Sequence, residues 1–317
     1  MIKLEKVTKS FNQKIAVEDI SFQVNEGETL VLLGMSGCGK TTTLRMINRL
    51  LETDSGTISV NGKNIKEQSP EILRRGIGYV LQDNGLFPHY TVAENIAIVP
   101  KLLRWNKEQI YKRSTQLLEK LKLSPDLLKA YPAQLSGGQQ QRVGLARALM
   151  ANPPVLLMDE PLGALDPITR INIRKEFKNL DELKRKTIIL VTHDVNEAFD
   201  LADRICLMSN GKIHQIGTPE SLLLHPQDDF VKEFLNEHKL QLEFKTITLS
   251  ELWPYLPIQE HSGETKSLSP ESSLWDAFTL LLDENNTVNI SNELTGKIKK
   301  VSFNDLMISF KSYKQKE

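Results

Sequence analysis

The stretch Gly34-Met35-Ser36-Gly37-Cys38-Gly39-Lys40-Thr41 follows the apolar run Thr29-Leu30-Val31-Leu32-Leu33 and precedes Leu44, Ile47 and Leu50 at helical spacing. A strand, a glycine loop ending in Lys-Thr and a helix, in that order, restrict the chain to folds that seat a phosphate at a helix start. The glycines let successive backbone N–H groups turn toward phosphate oxygens, Lys40 reaches the outer phosphates, and Thr41 offers an oxygen to Mg2+. Cys38 contributes its backbone.

Two further apolar runs, Val155 to Met158 and Thr187 to Val191, read as strands covered on both faces. Ile20 to Val24 alternates, and residues 1 to 35 read as short strands. The pattern predicts an α/β chain with a largely parallel central sheet. The Val155 run ends in Asp159-Glu160, and the carboxyl ends of such strands are where these sheets bind ligands. Asp159 suits Mg2+, and Glu160 is placed to polarise an attacking water as general base. Between Pro88 and Pro132 strand signals are few, and Ile110, Leu117, Leu118 and Leu121 recur at helical spacing, which predicts an inserted helical subdomain over about 88–145.

At 317 residues the length suggests two domains. With 40 Lys+Arg against 40 Asp+Glu there is no overall field to gather nucleic acid, so none is expected as a partner. Cys38 and Cys206 share no metal-ligand spacing, which fits reduced thiols, and the apolar run around Cys206 predicts a buried, inert one. No run after Met1 reads as a signal sequence, and no window approaches the ~18 apolar residues that cross a bilayer.

After Phe230, Val231, Phe234 and Leu235 the α/β pattern gives out, so the boundary is set near 240. Residues 241–317 then form a small accessory domain: a strand-like piece from Phe244 to Leu249, a polar segment, and a helix capped by Ser273 with Asp276 and carrying Leu274, Ala277, Phe278 and Leu281. Thr287 to Ile290 is a weak strand signal, and Ser302 with Asp305 opens a last helix carrying Leu306 and Met307.

Leu135-Ser136-Gly137-Gly138-Gln139-Gln140-Gln141-Arg142 places a Ser and two Gly at a helix start, a second anion-binding nest that one phosphate loop does not need. With these motifs, residues 1 to about 240 resemble the ATPase subunits of ABC transporters. The resemblance implies a P-loop NTPase of ABC type with an inserted helical subdomain and a small C-terminal α+β domain, and ATP with Mg2+ as its ligands. It makes Gly34, Ser36, Gly37, Cys38, Gly39, Lys40, Thr41 and Thr42 the phosphate-binding residues, and Phe11 the ring that stacks on adenine; as a lone residue Phe11 reads more often as core than as a base platform. Thr41, Gln82 and Asp159 would serve the metal, and Lys40, Gln82, Glu160, Asp166 and His193 would be catalytic, with His193 the switch histidine and Asp166 the link between two sites. Ser136, Gly137 and Gly138 would close over the γ phosphate held by a second, head-to-tail copy. The family more often has Ser where this chain has Gly163.

Gly211 to Glu220 looks like the importer type, and Asp83 to Asn95 like the segment that meets a membrane partner, so Leu86, Phe87 and Tyr90 are expected to be partly exposed. Asn95 to Leu103 and the acidic tail suggest importers of quaternary amines such as glycine betaine, choline or carnitine. The tail resembles a single degenerate CBS module, with Thr295 to Val301 as its closing strand; a packing or dimerisation domain without a ligand is the alternative. The resemblance implies a second copy, membrane permease subunits and, indirectly, an extracytoplasmic solute receptor as partners, and a peripheral place on the cytoplasmic face of a bacterial cell membrane. Because the ATPase never touches the solute, import of methionine, another amino acid or a thiol-betaine stays open, as does a soluble ATPase acting on a non-transport partner.

Overall fold

Alternation builds the first sheet and continuous apolarity the second. In β2 (Lys14–Val24), Ile20, Phe22 and Val24 are buried and Ser21 and Gln23 exposed. It pairs antiparallel with β1 (Ile2–Phe11), and the register shifts in this hairpin accompany left-handed backbone at Lys6 and Asp19. Both strands are longer than the sequence suggests, because bulges let one hairpin bend without ending. β3 (Thr29–Leu33) leads through the glycine loop into α1 (Lys40–Ile47). β4 (Ser55–Val60) and β5 (Lys63–Asn64) complete a sheet of order β2-β1-β4-β5. The computed structural model describes residues 2–83, 85–163, 165–257, 267–283, 287–292 and 297–315.

After α2 (Pro70–Arg75) and β6 (Ile77–Val80) comes the helical insertion: α3 (Val92–Ile96), α4 (Ile98–Leu102), α5 (Lys107–Lys120) and α6 (Gly137–Leu149). Capping boxes start three of them, Thr91 with Glu94, Asn106 with Gln109 and Ser136 with Gln139. β7 (Val155–Asp159), α7 (Pro167–Asn179), β8 (Thr187–Thr192), α8 (Val195–Leu201), β9 (Arg204–Ser209) and β10 (Lys212–Gly217) follow. The central sheet runs β10-β9-β3-β8-β7-β6, parallel throughout except for β10. All of β7 and β8 is buried, as continuous apolar runs require. Leu30, Leu32, Ile189 and Val191 share one core with Ile2, Ile20, Ile58 and α1's Leu44, each burial stabilising by about 1.5–3 kcal/mol.

Packing divides the chain into two units, Met1–Thr218 and Pro219–Glu317. The division precedes the sequence boundary at 240, because α9 (Pro219–Leu224) packs on α10 (Asp229–Asn236) and α11 (Lys239–Thr246). The second unit continues with α12 (Leu249–Leu252), β11 (Ser267–Leu268), α13 (Leu274–Asp283), β12 (Thr287–Asn292), β13 (Lys297–Ser302) and α14 (Phe303–Lys314). β12 lies between a parallel β11 and an antiparallel β13.

The strand expected from Phe244 to Leu249 is not there: α11 runs to Thr246, and Thr248 caps α12 in a box with Glu251. The β-branched run Thr246-Ile247-Thr248 suggested extended chain, but the cap three residues before Glu251 outweighs it. The boxes at Ser273 with Asp276 and at Ser302 with Asp305 form as read from the sequence. Thr295, the start of the expected closing strand, lies outside the described residues. Among the described residues no helix is long and apolar enough to cross a membrane.

Candidate nucleotide-binding and catalytic site

The loop between β3 and α1 is stitched to its surroundings by backbone. Gly211 N–H donates to the Cys38 carbonyl at 3.1 Å, and Glu18 N–H donates to the Gly211 carbonyl at 2.9 Å. This ties the loop to the β9–β10 turn and to β2. Gly39 caps α1 at φ +104°, and a Cβ there would stand 2.5 Å from the Ala16 carbonyl oxygen. Only glycine satisfies both the left-handed backbone and that approach. Met35, Ser36 and Gly37 are exposed, Cys38 is buried, and Thr41 and Thr42 are half-buried at the helix start. Lys40 is buried and its Nζ donates to the Gly34 and Met35 carbonyls at 2.7 and 2.9 Å, so the amine already lies inside the loop.

Thr41 Oγ1 donates to Asp159 Oδ1 at 2.7 Å. Burial pushes the Asp159 carboxyl above its ordinary value, while the Thr41 bond and the Arg45 charge pull it back. Among the described residues no three or more His, Cys, Asp or Glu form a metal-binding group. A hydroxyl and one under-neutralised carboxylate still fit Mg2+, which takes few protein ligands when phosphate oxygens complete its shell. Gln82, which the resemblance makes both a metal and a catalytic residue, donates through Nε2 to Glu160 Oε2 at 3.3 Å.

Glu160 follows β7 with φ +44°, a strained conformation for a non-glycine residue, held by its N–H bond to the Val191 carbonyl and by Gly163 N–H on its own carbonyl. On its other side His193 Nδ1 stands 3.2 Å from Glu160 Oε1. Gln82, Glu160 and His193, drawn from the ends of β6, β7 and β8, thus meet on one carboxylate. A Cβ at Gly163 would lie 3.3 Å from Glu160 Oε2, so this glycine leaves that carboxylate more room.

Phe11 closes β1 and is 43% exposed, with Lys9 Nζ 5.5 Å from its ring centre. It is a free ring rather than a core one. Ser136 caps α6, taking Gln139 N–H at 3.3 Å, and the close neighbour of Gly138 is Thr169; a Cβ at Gly137 would meet nothing. Those contacts lie within α6 and with α7, and none of them is to the phosphate loop. Asp166 caps α7 through Thr169 N–H, and the Thr169 hydroxyl together with that N–H holds its carboxyl below the usual range. Cys206 is buried, and burial pushes its thiol far up, as an inert core cysteine.

Residues 17–163 match the ABC transporter family. The glycine betaine uptake system ATP-binding protein of Escherichia coli (strain K12) is 45% identical over 282 residues, covering 89% of this chain and 91% of that protein. The chain belongs to the glycine betaine/carnitine/choline (osmoprotectant) family of ABC transporter ATP-binding subunits. The glycine betaine/carnitine/choline transport ATP-binding protein of Bacillus subtilis (strain 168) is 52% identical over 241 residues, 76% of this chain, and the match spans 63% of that relative's length. A dimeric ATP-binding cassette solved in a post-hydrolysis state with ADP and Pi is 33% identical, with a TM-score of 0.62, over 69% of this chain and 98% of that one.

Several residues at this site went unread in the sequence. Arg45, four positions after Thr41 on one helix face, acts on Asp159, and that spacing was available as a signal. Asn95 is wholly buried and ties down the Phe87–Thr91 loop, accepting Phe87 N–H at 2.8 Å and donating to the carbonyls of Phe87, Tyr90 and Thr91. Its neighbours Glu94 and Ile96 gave no local mark of that role. Thr192 and Glu197, which shape the His193 turn, carried none.

Proposed function

We propose that this chain is the ATP-hydrolysing subunit of an importer for a quaternary-amine or betaine-type solute. The observation that carries the catalytic part is Glu160 between Gln82 and His193, beside the Thr41–Asp159 pair and behind the glycine loop. Loop N–H groups and Lys40 hold the phosphates. Thr41 and Asp159 would hold Mg2+, which when bound would supply positive charge against the phosphoryl oxygens. Glu160 takes the proton of the attacking water, and Gln82 and His193 keep its two oxygens aimed.

The nest at Ser136 to Gly138, with nothing within 4 Å of a Cβ at Gly137, supports a head-to-tail pair in which each site takes Lys40, Thr41, Gln82, Asp159, Glu160 and His193 from one copy and the nest from the other. Asp166 then links the two sites, and Phe11 stacks on adenine. A groove of about 300 Å3, lined by Tyr79, Leu81, Phe87, Ile98, Val99 and Arg147, suits a helix of a permease subunit. Phe87 and Tyr90, 50% and 46% exposed, flank it as the sequence led one to expect. The order β11-α13-β12-β13-α14 supports the likeness of the C-terminal unit to one CBS module, in an accessory or regulatory role. Docked in this way the chain would sit on the cytoplasmic face of the membrane, with the solute receptor beyond the permease.

The test is uptake of radiolabelled glycine betaine by cells lacking their own carriers, expressing this chain with its permease and receptor subunits. Uptake with wild type and none with Glu160→Gln supports the reading. ATP hydrolysis without uptake of glycine betaine, choline or carnitine moves it to another solute.

A further inference from the structure

The turn carrying His193 is closed by three hydrogen bonds that the steps above do not use. Asp194 N–H donates to Thr192 Oγ1 at 3.0 Å, Thr192 Oγ1 donates to Glu197 Oε2 at 2.7 Å, and Glu197 N–H donates to Asp194 Oδ1 at 3.1 Å. In a capping box the third helical residue reaches the cap's N–H itself. Here the Thr192 hydroxyl stands between them, so one carboxyl holds both the last residue of β8 and the start of α8. His193 lies inside this ring, and its side chain is 55% exposed, so packing does little to place it. Glu197 is 2% exposed, and its Oε1 has no hydrogen-bond partner among the described residues. A carboxylate buried in that way is costly, and an apolar residue would fill the position more cheaply.

We propose that Glu197 is a positioning residue for hydrolysis, fixing the β8–α8 turn through Thr192 so that His193 stays against Glu160. This rests on the ATPase reading above. The charged groups around Glu197 are Asp194 and Asp200 on its own turn and helix, and Arg170 and Arg174 on α7; β3 and β8, which also pack on α8, bring none. Burial pushes the Glu197 carboxyl up to about 7, so its charge changes near neutral pH. The ionised form accepts the stronger, charge-assisted bond from Thr192.

The experiment measures kcat and KM for ATP between pH 6 and 8.5 on the full chain assembled with its membrane subunits. Glu197→Ala and Thr192→Val should each lower kcat about tenfold and leave KM within about twofold, because neither residue meets the nucleotide. The double variant should fall no further than either single one, since both break one ring. Glu197→Gln, whose neutral amide oxygen still accepts from Thr192 without the charge, should show at every pH the partly lowered kcat that wild type shows below pH 7, above that of Glu197→Ala. Wild-type kcat in Glu197→Ala, while Glu160→Gln is inactive, overturns this proposal alone; so do additive losses in the double variant. A wild type that hydrolyses no ATP overturns both readings. Should Glu197→Ala fail to fold, Thr192→Val and the Glu197→Gln pH profile decide by the same outcomes.

Discussion

Thr41 Oγ1 and Asp159 Oδ1 lie 2.7 Å apart although their elements are separated in the sheet by β8. One bond therefore joins the helix that starts at the glycine loop to the strand that ends in Asp159-Glu160. It is also the main compensation for a buried Asp159 whose carboxyl is held above its ordinary value.

The sign of that shift makes a prediction. A carboxyl raised in the folded state binds its proton better there than in the unfolded chain, so the contribution is present below its ordinary value and is lost as pH rises through the folded one. At pH 7.5 the ionised Asp159 is then a cost in the nucleotide-free protein. Asp159→Asn should melt no lower than wild type, and a few degrees higher if Thr41 keeps its bond. Mg2+ should no longer tighten ATP binding to it. Calorimetry and nucleotide titration with and without chelator check both, and a clearly lower Tm would contradict the account.

Gly39 and Gly37 separate close approach from backbone strain. Both have positive φ, but a Cβ at Gly39 meets the Ala16 carbonyl at 2.5 Å, whereas at Gly37 it meets nothing. Gly37→Ala should cost about 1 kcal/mol for its backbone alone. Gly39→Ala adds a backbone clash and should cost about 2–4 kcal/mol, with weaker nucleotide binding. Equal losses in denaturant unfolding would show that Ala16 yields.

Much of this was legible because particular residues act locally. The glycine loop, the Asp159-Glu160 strand end and the capping serines each carry their conformational signal within a few positions, and the structure brings Lys40, Thr41, Asp159, Glu160 and His193 to the carboxyl ends of β3, β7 and β8. The β2-β1-β4-β5 sheet was not legible as a separate layer, because alternation tells a half-buried strand but not its neighbour. Thr246 to Thr248 misled through β-branching. The bond from Gln82 to Glu160 is a long-range pairing over which local sequence has no say.

Phe310 anchors the C-terminal unit. It is 5% exposed, and the Phe244 ring, 5.1 Å away, meets both Phe310 and Phe278 edge-on. Phe310→Ala should destabilise that unit by about 3–5 kcal/mol. Limited proteolysis should then cut within 219–317 well before 1–218. Equal resistance of the two parts would count against a self-contained aromatic core.

Glu197 predicts a pH dependence of stability apart from its place in the turn that carries His193. Its folded value is about 7 against an ordinary 4.5, raised by burial and by Asp194 and held back by Thr192, Arg174 and Arg170. The native state therefore binds this proton more tightly, and the stability it contributes is whole below about pH 4.5 and gone above about pH 7. Across that window the change is about 3 kcal/mol, from 1.36 kcal/mol per pKa unit. Glu197→Gln carries no charge at any pH, so against wild type it should gain stability progressively from pH 5 to pH 8. Urea unfolding of both proteins at unit steps of pH measures the divergence, and parallel curves would mean that the carboxyl titrates in its ordinary range. Divergence together with the kinetic loss in Thr192→Val would mean that the ionised carboxylate costs the fold stability while it holds the turn on which His193 depends.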